Sequence, residues 1–226
     1  MKQHLILFLV SLLALQAAGV NAQSECDDNV LNARPQQLAG ESWRTERDQD
    51  NLTVYNRKVD GSPIREMLAL TTIDKPAWRL FASVADYPNY PQFMPYVKKS
   101  RVLHEEGNRS RVFQQLDFPW PISDRYYTIE LTADTTYSEQ GHYFVSWTLS
   151  RAGLETPAGE GLPLKVDDGY WLFCTIGENR TFVEYYINSD PGGLLPSWAV
   201  NQANSRAVPD VLHAVARRAE SATYDR

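Results

Sequence analysis

The chain is 226 residues long, with 22 basic and 28 acidic side chains and a formal net charge of −6 at pH 7. That balance argues against nucleic acid as the main partner, and no run of like charges offers an electrostatic clamp for a membrane. Aromatic residues make up 12% of the chain, including 6 Trp and 12 Tyr, which marks a folded protein rather than a disordered one.

Lys2 and His4 give a short basic start, and residues 5–15 are an apolar run broken only by Ser11. Val20-Asn21-Ala22 has the small-residue pattern of a cleavage site. Residues 1–22 therefore read as a signal peptide whose apolar run is short for a membrane span, with a retained signal anchor as the alternative. Residues 23–226 read as one domain of ordinary size, periplasmic or secreted. Two cysteines remain, Cys26 and Cys174. An oxidising compartment permits a bridge between them; the alternative is an unpaired Cys26 near the new terminus and a buried, reduced Cys174.

Residues 35–46 are predicted as a short helix, with Pro35 at its start and Trp43 as its apolar anchor. Residues 52–60 and 64–73 read as a hairpin turning at Gly61-Ser62-Pro63. Asp74-Lys75-Pro76 opens a helix in which Trp78, Leu80, Phe81 and Val84 recur at helical spacing. Prolines forbid a single helix across residues 86–95, so short turns are expected there. Strands are predicted at 97–104, 109–118, 126–137, 142–150, 169–176 and 181–189. The clearest alternation places Tyr143, Val145, Trp147 and Leu149 on one face. Residues 153–163, rich in Gly and Pro, are expected to form a loop.

Residues 196–224 read as a long helix with an apolar stripe through Val200, Asn204, Ala207, Val208, Val211, Leu212 and Val215. Pro209 falls inside it and is expected to kink or divide it. An antiparallel meander with one long helix laid across it is an α+β arrangement.

Three strings carry a resemblance to a known family: Asp-Gly-Ser-Pro-Ile at 60–64, Pro-Trp-Pro-Ile-Ser-Asp-Arg at 119–125, and Asp-Pro-Gly-Gly-Leu-Leu-Pro-Ser-Trp-Ala-Val-Asn-Gln at 190–202. With Asp86, Tyr90 and Pro95-Tyr96-Val97, they resemble the START lipid-transfer domain, in its stand-alone bacterial form. The resemblance spans residues 40–224. It implies a helix-grip fold, a curved antiparallel sheet wrapped around the long C-terminal helix with an internal apolar cavity. It also implies one bound lipid or other hydrophobic molecule, with the C-terminal helix and the 153–163 loop as the gate. Transient membrane contact would go with such a role, and no stable protein partner is inferred.

Strand phase and the helical stripe nominate Tyr143, Trp147, Val183, Tyr185, Val200, Asn204, Ala207 and Val211 as ligand-binding positions, with plain core, or for Asn204 a satisfied buried amide, as the alternative. Arg125 either meets a ligand head group or fixes the strand start by pairing a carboxylate such as Asp124. Trp120 either lines the tunnel mouth or a bilayer, or packs as a rigid turn; Asn201 and Asn204 sit in the first turns of the closing helix. Some sterol-binding members carry a charged pair inside the tunnel. Threading puts Gln115 and Leu131 near those positions, so sterol is not favoured.

No nucleophile elbow, zinc-protease motif, phosphate loop or dinucleotide fingerprint is present. His104, His142 and His213 lack metal-ligand spacing, so neither a metal nor a cofactor is expected. The leading expectation is a non-catalytic binder. A cyclase- or aromatase-like enzyme on the same fold, or a ligand-sensing interaction module, are the alternatives.

Overall fold

A computed structural model describes residues 26, 28–118, 120, 122–150, 161–221 and 224. The expected signal peptide and most of the 153–163 loop lie outside the described residues.

The chain opens with helix α1 (Asp28–Gly40) and strand β1 (Arg44–Gln49), followed by the hairpin β2 (Leu52–Lys58) and β3 (Arg65–Ile73). Helix α2 (Ala77–Ala85), a 3-10 turn and the one-turn helix α3 (Tyr90–Phe93) precede β4 (Val97–Glu106), β5 (Arg109–Leu116), β6 (Arg125–Asp134) and β7 (His142–Leu149). The short β8 (Leu162–Pro163), then β9 (Val166–Gly177) and β10 (Arg180–Asp190), lead into the final helix α4 (Ser197–Arg218). The strands form one sheet in the order β1-β2-β3-β10-β9-β7-β6-β5-β4, antiparallel at every pairing of that path. The small β8 pairs in parallel with the start of β6.

This is the expected α+β helix-grip arrangement, a curved sheet closed on its concave side by α2 and α4. Alternation assigns the faces. Tyr143, Val145 and Trp147 of β7, Trp171 and Phe173 of β9, and Val183 and Tyr185 of β10 join Leu80, Val84, Val208, Leu212 and Val215 in one core. Burial on that scale is the main stabilising contribution to the fold.

Three expectations are corrected. The first helix covers Asp28–Gly40 rather than 35–46, with Pro35 inside it. It lies on the convex face, where Leu38 is fully buried with Trp43, Tyr55, Leu68 and Leu70. An Arg34–Glu184 ion pair at 2.7 Å adds to this docking, and one missing helix hydrogen bond at Pro35 is tolerated. Residues 44–49 form an edge strand, exposed throughout, and so carry no alternation to read. Finally, α4 runs undivided through Pro209 and ends at Arg218 instead of 224. Val208, Pro209 and Leu212 are all buried, so packing compensates for the hydrogen bond that Pro209 cannot make.

Cys26 and Cys174 are joined in a disulfide that fastens the start of α1 to the convex side of β9.

Candidate ligand cavity

Between the concave face and α4 lies a cavity of about 490 Å³. Its size falls within the ~300–1,000 Å³ range common for small-molecule sites. Its walls come from every layer: Val84 and Tyr87 near α2, Tyr90 of α3, Leu116 of β5, Ile129 and Leu131 of β6, Trp171 of β9 and Ile187 of β10. Small side chains on α4 leave the room, since Ala199, Ala203 and Ala207 all face the space. Exposed or half-exposed lining residues mark the rim: Tyr96 before β4, Phe118 and Ile122 between β5 and β6, and Leu195, Ala203 and Arg206 at α4.

Of the nominated residues, the structure brings Trp147, Tyr185, Val200, Asn204, Ala207 and Val211 to the cavity wall. Tyr143 and Val183 point to the same concave face but stand clear of the cavity. Strand phase gives the face, whereas position along the strand decides what covers it. At this end α2 fills the space, with Phe81 stacked on Tyr143 at 4.8 Å.

Arg125 is also outside the wall, and its expected partner is different. Its Nε donates to the Pro191 carbonyl at 2.7 Å, and its Nη groups to the carbonyls of Ser123, Asp124 and Gly192. Asp124 instead accepts from Lys98 Nζ at 2.9 Å. Arg125 thus ties the head of β6 to the linker before α4. Asn201 works similarly, accepting from the Arg65 amide at 2.8 Å and donating to the Pro63 carbonyl at 3.2 Å. Asn204 faces the cavity while donating to the Ser189 carbonyl at 3.1 Å.

The threading that put Gln115 at the tunnel is off by one position. Val112, Gln114 and Leu116 hold the inward phase of β5, and Gln114 lines the cavity while accepting from the Tyr127 hydroxyl. Gln115 donates to Asp124 at 3.0 Å. Leu131 does line the cavity.

Several wall residues, Tyr87, Ile129, Trp171 and Asp167 among them, are not nominated by the sequence, and of these Asp167 is the buried carboxyl. Asp167 is only 6% exposed, yet it lines the cavity. Burial pushes its carboxyl up to about 7, and neighbouring Asp168 adds to the rise. Hydrogen bonds from Ser189 and Trp147 offset part of it. The signal was in the phase of β9: Asp167 shares the inward phase of Trp171 and Phe173. Gly169 between them lets the Trp147 indole cross the strand, because a Cβ there would sit inside van der Waals contact of that ring and of the Tyr186 carbonyl.

His104 and His213 are exposed, and burial lowers the pKa of half-buried His142; none of the three lines the cavity.

Residues 73–216 match the family described as polyketide cyclase / dehydrase and lipid transport. The chain belongs to this family. Among similar proteins, an uncharacterized Pseudomonas aeruginosa protein is 27% identical over 168 residues, covering 71% of this chain and 78% of its own. The human phosphatidylcholine transfer protein is 22% identical over 211 residues, covering 91% and 96%. A solved STAR-related lipid transfer protein from Xanthomonas axonopodis matches this fold with a TM-score of 0.71 at 24% identity, covering 80% of this chain and 99% of its own. The START-type helix-grip fold expected from the sequence is therefore established. In this START-type protein the cavity occupies the space between sheet and final helix.

Proposed function

We propose that this START-type protein is a non-catalytic carrier that holds one lipid or similar apolar molecule in the cavity and exchanges it at membranes. The observation that carries the proposal is the roughly 490 Å³ space walled by aromatic and aliphatic side chains. Each CH₂ moved there from water contributes about 0.8 kcal/mol. The family and the similarity to lipid-transfer proteins support hydrophobic-ligand binding.

Membrane exchange is supported by the surroundings of the rim. Trp120 is 93% exposed and lies between the rim residues Phe118 and Ile122, while Leu194 and Trp198 are exposed beside Leu195. Isolated exposed apolar residues are ordinary; three large ones around a cavity mouth suit a bilayer interface. Exit would require α4 to move away from the sheet, and the side-chain bonds from Asn201, Asn204 and the Arg125-held linker define what must break. The disulfide and the apolar N-terminal run support an exported, periplasmic or secreted setting.

A second reading, a cyclase-like enzyme, is favoured by one observation: Asp167 is a cavity acid poised near neutrality. Native mass spectrometry of the purified protein, followed by extraction and lipid analysis, tests the first reading. A stoichiometric lipid supports carriage. An empty protein that refuses a broad lipid panel, or one that turns over a polyketide, would move the enzyme reading forward.

A further inference from the structure

We infer that Asp167 is the head-group anchor of the cavity and selects ligands bearing a cationic, amine-type head group; this rests on the apolar-ligand reading of the cavity. The carboxyl stands on the inward phase of β9, 6% exposed, in the wall of an otherwise apolar space. Among the described residues, the donors that lower its pKa are the Trp147 indole and the Ser189 hydroxyl. A carboxylate offers about four lone-pair sites, so these two leave acceptor capacity toward the cavity.

Among the described residues, no cation beside Asp167 balances its charge. Asp168 on β9 adds negative charge to the site, and Tyr127 on β6 and Tyr185 on β10 are buried phenols whose ionisation the Asp167 charge further opposes. Across from them, α4 contributes the neutral amide of Asn204, and its Arg206 stands exposed at the rim. Lys165 is turned to Asp190 at 3.3 Å, and Arg125 is committed to main-chain carbonyls.

Buried carboxylates are normally paired, and an unpaired one keeps its proton instead. A ligand ammonium supplies the missing partner in a charge-assisted hydrogen bond. A ligand carboxylate or phosphate at the same place would meet like charge at low dielectric. The cavity therefore ranks head groups: amine above neutral hydroxyl, and hydroxyl above anion. Amine binding must strengthen as the pH rises through about 7, because only the ionised carboxylate pairs with the ammonium.

Three probes with one tail separate these contributions: hexadecylamine, hexadecanol and palmitic acid, titrated into the mature protein and followed by native mass spectrometry and by tryptophan fluorescence. Between pH ~5.5 and ~8.5, amine affinity is expected to rise about thirtyfold, following the ionised fraction of a group with a pKa near 7, while hexadecanol affinity stays flat. Asp167→Asn is expected to bind amine and alcohol alike at both pH values. Equal binding of amine and alcohol by the unaltered protein, or preference for the acid, overturns the assignment while leaving the cavity reading intact. Failure of all three probes to bind overturns both.

Discussion

The Tyr96 hydroxyl donates to Asp210 Oδ2 at 2.8 Å, joining the segment before β4 to the middle of α4 beside the cavity rim. Tyr96 holds a left-handed backbone (φ 65°), unusual for an aromatic residue and sustained only where surrounding contacts fix it. In the proposed exchange, the bond spans the seam along which α4 would part from the sheet. Tyr96→Phe keeps the ring and removes the bond, so stability should fall by no more than about 1 kcal/mol at this half-exposed site. Release of a preloaded fluorescent lipid should nevertheless quicken severalfold, as followed by stopped-flow. An unchanged release rate would show that the seam opens elsewhere.

Asp167 should leave a signature in the pH dependence of stability. Its folded pKa, about 7, lies above the ordinary carboxyl value of 3.8, so the folded state binds more protons between those limits. Stability from this group is complete below the lower value and is lost as pH rises through the upper one, at about 1.4 kcal/mol per pH unit. Asp167→Asn removes the titration. Denaturation measured at pH ~5 and ~8.5 should show the variant gaining on the parent by a few kcal/mol at the higher pH. A gap that does not change with pH would mean the carboxyl is not held neutral.

Gly169→Ala places a methyl group against the Trp147 ring and the Tyr186 carbonyl. Overpacking of this kind costs roughly 1–3 kcal/mol, and here the backbone oxygen cannot retreat like a flexible side chain. A lowered melting temperature is expected, with a changed near-ultraviolet dichroism because the indole must shift. Parent-like values for both would show that β9 yields more easily than its packing suggests.

The bridge between Cys26 and Cys174 closes a separation of 148 residues, and its loss should cost about 2–5 kcal/mol. The double variant Cys26→Ser with Cys174→Ser should therefore unfold at lower denaturant. It should also expose the cluster beneath α1, because Leu38 and Trp43 depend on that helix staying docked. Protection of residues 28–40 in hydrogen exchange is the direct readout.

Trp120→Ala combined with Trp198→Ala should leave stability within about 0.5 kcal/mol, since both side chains are largely exposed. Partition onto phospholipid vesicles should weaken severalfold in flotation assays. Parent-like flotation would remove the rim from the membrane reading.

Much of the architecture was legible because alternation is a local signal. The hairpin, the six long strands of the meander and the inward phase of Trp147 and Tyr185 all follow from side-chain period. What failed had no local signature. Strand β1 is an edge exposed throughout, so nothing in Arg44–Gln49 alternates. Helix α1 is placed by the convex surface and by a disulfide to a residue far along the chain. Tyr143 and Val183 were given the right face but a filled part of it, because α2 covers that end and strand phase says nothing about the covering helix. Arg125 was open to a ligand head group or a carboxylate at the strand start, and neither holds it: main-chain carbonyls of the linker before α4 do. Asp167 escaped notice because the strand was predicted to begin at 169, whereas β9 begins at Val166.

The charged outer strands bear on how the molecule behaves when concentrated. A ten-stranded sheet left open has two borders, and here each is guarded. Strand β1 carries Arg44, Glu46, Arg47 and Asp48, all exposed, and β4 carries exposed Lys98, Lys99 and Arg101. Such borders resist the addition of strands from neighbouring copies. Self-association is thereby steered away from sheet extension and toward the apolar ring at the cavity mouth. If the proposed carrier reading holds, another copy and a bilayer would compete there for the same few tryptophan and leucine side chains. On that reading crowding in solution and delivery to a membrane would draw on one surface, and vesicles should dissolve whatever clusters the free protein forms.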